Sequence, residues 1–325
     1  MWPSSTRSTA PPSSTGPTGS CCPSANRHLR RRESTSTPRP GENGRMEHRG
    51  RVWGSESPEE PLLGGDVTDG IVRSGDTVRR PRSAASERTR ELLAHLERVG
   101  FRGAPQFLGI DDRGRDVLSF VDGEVAGRPA PDWVASDDRA ASVASLLRAY
   151  HDAVASFGVP DTFADAASPL PAGSPPPLPV PNELIGHRDV TLENVVFRDG
   201  LACALIDFDL ARPSSRADDI CNMLQWWAPW QPVQDRPEAL ADVDECARAA
   251  LMLDAYGLDE SARALLVPLA QNAAERTWYS MRLRAERDGG GWRRMWEAGA
   301  GESIRRRQAW LRENADALAG AVGRR

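Results

Sequence analysis

The chain has 325 residues, 39% of them hydrophobic, and a formal net charge of −5. That length suits one large or two ordinary domains, and the nearly balanced charge excludes a strong overall bias toward nucleic acid or an anionic membrane surface. No run of about 18 apolar residues occurs and the N-terminus has no apolar signal core, so no membrane span or secretory leader is expected and a cytoplasmic protein is the default.

Residues 1–58 are rich in Ser, Thr, Pro, Gly and Arg and include Arg30-Arg31-Arg32. Such a segment buries too little apolar surface to offset its ordering entropy, so a disordered tail is expected. Met46, just upstream of the first foldable segment, is an alternative start. A small β-rich lobe is expected over 59–122. In it, Gly64-Gly65-Asp66-Val67-Thr68-Asp69-Gly70 reads either as a plain turn or as a loop whose amides approach phosphates. Gly70-Ile71-Val72-Arg73, the turn Ser74-Gly75-Asp76 and Thr77-Val78-Arg79-Arg80 make a hairpin pattern, ended by Pro81. From Ser86 to Val99 the residues Leu92, Leu93, Leu96 and Val99 recur at helical spacing, with Gly100 as the stop. Pro105 to Ile110 and Arg115 to Val121 read as strands around the turn Asp112-Arg113-Gly114.

Asp122-Gly123-Glu124 is a connector into a larger lobe, 123–325. Ala140 to Phe157 reads as an amphipathic helix with Val143, Leu146, Leu147, Tyr150 and Val154 on one side. Residues 168–182 read as a Pro-rich surface loop. Val195–Phe197 and Cys203–Ile206 read as short strands joined at Asp199-Gly200. From Arg216 onward the spacing is helical. Strands first and helices after predict an α+β arrangement of two lobes. Five cysteines without paired spacing, Cys21, Cys22, Cys203, Cys221 and Cys246, argue against a disulfide framework or a zinc site.

The most informative stretch runs from His187 through Arg188, Asp189 and Asn194 to Phe197, followed by Ile206-Asp207-Phe208-Asp209. An Asp, an Asn five residues later and a second Asp after a short hairpin are the parts that phosphoryl transfer needs. Asp189 would meet the hydroxyl of an acceptor, while the carboxamide oxygen of Asn194 and the carboxylate of Asp207 would hold magnesium against nucleotide phosphates. Asp209 would share the face of Asp207 if the chain stays extended, and is expected either to support the metal site from behind its ligands or to cap a helix. His187 is expected to be structural, bonded to backbone. Taken singly these are a loop acid, a turn asparagine and capping acids; the ordered set outweighs those readings.

The pattern His187-x-Asp189-x-x-x-x-Asn194, then Ile206-Asp207-Phe208-Asp209-x-Ala211, resembles the aminoglycoside phosphotransferase family of the protein-kinase-like fold. Leu146-Leu147-Arg148-Ala149-Tyr150-His151-Asp152 resembles the helix before that family's catalytic region. Thr77-Val78-Arg79-Arg80-Pro81, Ala104-Pro105 with Leu108-Gly109, and Gln225-Trp226-Trp227-Ala228-Pro229 are similar to an actinobacterial branch whose members are labelled phosphotransferases or trifolitoxin immunity proteins. The resemblance implies ATP or GTP as co-substrate, Mg2+, Asp189 as catalytic base, Asn194 and Asp207 as metal ligands, and nucleotide contacts from Gly65, Arg79, Arg80, Ser119 and Phe120. It implies an O-phosphotransferase acting on a small-molecule hydroxyl, without nucleic acid or membrane. The alternative is a kinase-fold protein that holds a nucleotide or peptide with little turnover.

Several departures stand out. The family places a Lys on the third small-lobe strand, whereas all 41 basic residues here are Arg; Arg79 or Arg80 occupies that region, and Arg differs from Lys in bulk and geometry. Thr89, flanked by Glu87 and Glu91, stands where the family often has a Glu partner. Leu192 stands where many relatives have Pro. Asp-Phe-Asp replaces the Asp-Phe-Gly of protein kinases. Residues 181–260 carry 16 acidic residues against 6 Arg, and 261–325 carry 13 Arg against 7 acidic residues. The acidic block, with Asp235, Asp242, Asp244 and Glu245, makes a cationic acceptor one reading and a solvated acidic surface the other. Trp226, Trp227, Trp230, Trp278, Trp292, Trp296 and Trp310 could stack on a sugar or amine, with core packing preferred for most.

Overall fold

The structure, a computed structural model, describes residues 58–62, 70–166 and 170–323. The low-complexity segment through residue 57 and the loop holding Gly65 lie outside the described residues. The expected hairpin forms: β1 (Glu60–Pro61) is followed by β2 (Val72–Ser74) and β3 (Thr77–Arg80), with a turn at Gly75-Asp76. Next come α1 (Ser86–Arg98), β4 (Phe107–Ile110) and β5 (Asp116–Ser119). The five strands make one antiparallel sheet in the order β1-β2-β3-β5-β4.

The period of two along β3 separates its two arginines. Thr77 and Arg79 share one face, Val78 and Arg80 the other. Arg79 lies 3.9 Å from Asp111, which also meets Arg115 at 2.8 Å. Arg80 turns instead toward α1 and the larger lobe. α1 buries Leu92, Leu93 and Leu96, and Gly100, at φ +80°, supplies the left-handed residue after its end.

The connector is seated by a two-way backbone pair, Glu124 N–H to Phe197 O at 2.8 Å and Phe197 N–H to Glu124 O at 2.7 Å. Gly123 has φ +149°, and a Cβ there would meet Phe197 O at 2.5 Å. Beyond it α2 (Asp137–Val154) starts on Ser136, whose hydroxyl accepts from Arg139 N–H. It buries the predicted stripe Val143, Leu146, Leu147, Tyr150 and Val154. β6 (Leu184–Gly186), β7 (Val195–Arg198), β8 (Leu201–Leu205) and β9 (Arg212–Ser214) follow. β7 and β8 are a hairpin whose turn, Asp199 at φ +52° and Gly200 at φ +80°, matches the twist of the strands. β8 stops at Leu205, one residue before the predicted end. β6 pairs antiparallel with β9. That pair was not foreseen, because three-residue strands give no readable alternation.

The remainder is helical: α3 (Arg216–Trp227), α4 (Glu245–Tyr256), α5 (Glu260–Arg263), α6 (Leu266–Arg287), α7 (Gly290–Glu297), α8 (Ala300–Glu313) and α9 (Ala315–Val322). Trp227 and Trp230 are fully buried in the core with Tyr150, Phe163 and Phe197. No helix among the described residues is long and apolar enough to cross a membrane.

Candidate active site

The loop after β6 is held from below by α3. Asp219, fully buried, accepts His187 N–H at 2.7 Å on one oxygen and Arg188 N–H at 2.7 Å on the other, and also meets His151 Nε2 at 3.0 Å. Burial alone would push its carboxyl up. The His151 hydrogen bond and the charges of His151, Arg188 and His187 override it and hold the carboxyl well below the ordinary range. Asn222, one turn further along α3, accepts Val190 N–H at 2.7 Å. These anchors keep Arg188 at φ +63°, a left-handed conformation that a non-glycine residue does not adopt unaided. His187 is buried, donates Nε2–H to Ile206 O at 3.0 Å and packs its ring 4.6 Å from Phe208. Burial depresses its basicity, with Asp219 and Asp207 acting the other way. It is a structural bridge from the loop to the strand behind it.

Asp189 and Asn194 meet as their spacing predicts. The Asn194 amide donates to Asp189 O at 3.0 Å and to Asp189 Oδ2 at 2.8 Å. Burial first, then the charge of Asp207, raises the Asp189 carboxyl to about 7, against the lowering effect of Asn194 and Arg212. Asp189 and Asp207 therefore share one electrostatic neighbourhood. Asp207, at φ +61°, follows β8. Its Oδ1 is buried and accepts no hydrogen bond among the described residues, though Arg80 Nη1 lies 3.6 Å away.

An oxygen in that state fits a cation. Both amide hydrogen bonds of Asn194 go to Asp189, which leaves its carboxamide oxygen as the second donor atom. No group of three or more His, Cys, Asp or Glu suited to a metal occurs among the described residues. Two protein oxygens fit magnesium, which keeps waters and phosphate oxygens in its shell.

Asp209 does not extend along a strand from Asp207, because Phe208–Leu210 turns into a short 3-10 helix. The shared-face expectation fails for that reason, and the cap of α3 is Ser215, not either aspartate. The two carboxylates still converge, since Arg80 bonds Asp209 directly while lying near Asp207. Thr89, buried on α1, points its hydroxyl at Phe208 O at 3.5 Å. Glu87 pairs with Arg90 and Glu91 accepts from Thr162, so neither flanking glutamate has taken Arg80. Asp209 is its partner instead.

Ser119 accepts Gln106 N–H at 2.8 Å, and Phe120 lies under the Arg73 guanidinium at 3.8 Å. Both line a cavity of about 350 Å³ whose lining includes none of Asp189, Asn194 and Asp207. Of the acids weighed for cation recognition, Asp235 accepts from Arg306 at 2.9 Å, Asp244 caps α4 and Glu245 meets Arg236 at 3.0 Å. Asp219, Asn222, Tyr150 and Arg212 were missed. A signal existed for Asp219: with Met223 and Trp227 at i+4 and i+8 it lies on the buried stripe of its helix, where an acid needs partners.

A model of the phosphotransferase enzyme family (APH) matches residues 163–251. The chain is 35% identical over 210 residues to the trifolitoxin immunity protein of Rhizobium leguminosarum bv. trifolii, a match covering 62% of this chain and 75% of that protein. Among solved structures it is similar to a choline/ethanolamine kinase family protein from Mesorhizobium loti, with TM-score 0.54 at 17% identity over 83% of this chain and 94% of the other. The gentamicin–APH(2")-IIa complex gives TM-score 0.51 at 14% identity over 78% and 93%. At such identities the structural likeness is one of fold, a two-lobed kinase-like architecture.

Proposed function

This chain belongs to the phosphotransferase enzyme family, and from that premise we propose that it moves the γ-phosphoryl group of a magnesium-bound nucleotide, ATP or GTP, to the hydroxyl of a small molecule. The observation that carries the reading is the union of Asp189, Asn194 and Asp207 at one loop and strand end. Asp189 is the proton acceptor for the attacking alcohol. With its carboxyl raised to about 7, it is basic enough to take a proton and is about half ionised at neutrality. Asn194 holds that carboxylate by its amide and offers its oxygen, with Asp207, to magnesium. The bound cation would neutralise charge on the nucleotide phosphates. Arg80, on the cleft-facing side of β3, is the small-lobe cation for those phosphates, and Asp209 holds it until they arrive. Arg79 faces Asp111 and has no part in this.

A second reading has its own support. The arginine in place of lysine, its engagement by Asp209, and Thr89 in place of a glutamate favour a protein that holds nucleotide with slow turnover, as the resemblance to an immunity protein would allow. Thermal shift with Mg-ATP and Mg-GTP, alongside nucleotide turnover over a panel of alcohols, separates the two. Magnesium-dependent stabilisation with product formation supports transfer; stabilisation without product supports the binding protein. Asp207→Asn is expected to remove the magnesium dependence, and unchanged stabilisation would take Asp207 out of the metal site.

A further inference from the structure

Four arginines share the surroundings of the loop: Arg188 precedes Asp189, Arg212 of β9 pairs in register with Gly186 just before the loop, and Arg276 and Arg284 of α6 act on Arg212 through their charge. The charges of Arg188, Arg284 and Arg276 all bear on Arg212, that of Arg212 bears on Asp189, and those of Asp288, Arg287 and Asp189 bear on Arg284. Counter-charge reaches the set from Asp219 at Arg212, Asp218 at Arg276 and Asp288 at Arg284, in each case without a direct ion pair among the described residues. Arg188 has Asp218 at 3.8 Å. Among the described residues Arg212, Arg276 and Arg284 have no carboxylate within 4.0 Å. Arg212 donates one hydrogen bond, to Leu210 O at 3.3 Å. Arg284 lies over the Trp292 ring at 4.4 Å. The Nε of Arg276 is buried with no acceptor among the described residues. Asp219 is already occupied by two backbone N–H groups and His151, and Asp288 by Arg287.

Several other buried arginines of the larger lobe do meet acids: Arg248 meets Asp137 at 2.9 Å, Arg263 meets Asp254 at 2.6 Å and Arg236 meets Glu245 at 3.0 Å, while Arg307 donates to Trp230 O. Desolvating several guanidinium groups together without paired counter-charge is costly. Burial first, and then the charges of Arg188 and Arg284, bring the Arg212 guanidinium down to about 9, against the raising effect of Asp219. Guanidinium forks match carboxylate and phosphate oxygens. Of the four acids weighed for an amine, Asp235 is held by Arg306, Asp244 by the N-terminus of α4 and Glu245 by Arg236.

We propose that Arg212, Arg276 and Arg284, with Arg188, bind a carboxylate or phosphate group of the acceptor, so that this chain acts on an anionic alcohol rather than a polycationic one. The inference rests on the phosphotransfer reading for the word acceptor, and on the arginines alone for the anion site. The nucleotide's own terminal phosphate is the competing source of the same chemistry.

The test is calorimetric titration of inorganic phosphate into the full chain, with and without saturating Mg-ADP, and of glucosamine as a cationic alcohol. Phosphate is expected to bind saturably in both conditions. Binding should weaken about tenfold or more in Arg276→Gln and in Arg284→Gln, as expected for loss of a charge-assisted bond, and stay unchanged in the exposed-site control Arg306→Gln. Circular dichroism of each variant confirms that it is folded, and the single substitutions are read independently. Absence of saturable binding, undiminished binding in both variants, loss of the phosphate site when Mg-ADP is present, or tighter binding of glucosamine than of phosphate would each overturn the proposal. Failure of Mg-nucleotide binding with the phosphate site intact would fall on the phosphotransfer reading alone.

Discussion

Replacing Asp219 with Asn probes the scaffold under the loop. The substitution keeps shape and removes charge. One oxygen of Asp219 accepts His187 N–H at 2.7 Å and meets His151 at 3.0 Å, and the other accepts Arg188 N–H at 2.7 Å. An amide has one oxygen, so its NH2 group must face either His187 N–H or Arg188 N–H. At least one buried backbone donor then meets another donor. Hydrogen bonds to a charged group contribute about 1.5–3 kcal/mol each, are not additive within one carboxylate, and loss of one member of a buried charged cluster costs about 3–5 kcal/mol. We expect Asp219→Asn to lower unfolding free energy by about 3–5 kcal/mol in urea at pH 7, with Asp316→Asn on the exposed face of α9 as control. The folded carboxyl of Asp219 is held below its unfolded value of about 3.9. Its stabilisation is therefore complete above that value and is lost as pH falls below about 4, so the gap between parent and variant should narrow there. A change under about 1 kcal/mol at pH 7 would refute the anchoring argument.

Two further substitutions follow from the cleft and the connector. Arg80→Ala removes the cation that Asp209 holds, and should weaken Mg-nucleotide binding about tenfold or more by titration; unchanged affinity would release Arg80 from the phosphates. Gly123→Ala must place a Cβ 2.5 Å from Phe197 O at φ +149°, and should lower the unfolding free energy measured in urea by roughly 2–3 kcal/mol, less than about 0.5 kcal/mol being evidence against the close approach.

The chemistry-bearing loop was readable because its parts are close in sequence. Asp189 and Asn194 are five residues apart, and the β7–β8 hairpin with its Asp199-Gly200 turn carries the chain back to Asp207. The small-lobe hairpin and the stripes of α1 and α2 were readable from apolar period alone. What escaped depends on approaches between distant segments. The pairing of β6 with β9 joins residues about thirty apart through strands too short to show a pattern. The partner of Arg80 lies 129 residues away at Asp209, and the local turn at Phe208–Leu210 that aims it there is set by the left-handed backbone of Asp207. The arginine cluster draws on the loop, β9 and α6. The sequence showed a basic C-terminal block, but composition does not say which of 13 arginines in 261–325 face the loop.

The most direct measurement is γ-phosphoryl transfer by Asp189→Asn under single-turnover conditions, with nucleotide affinity determined on the same preparation. Nucleotide binding is expected to stay near the parental value while transfer slows by about 100- to 10,000-fold, the scale of a lost general base. Transfer at the parental rate would contradict that role for Asp189.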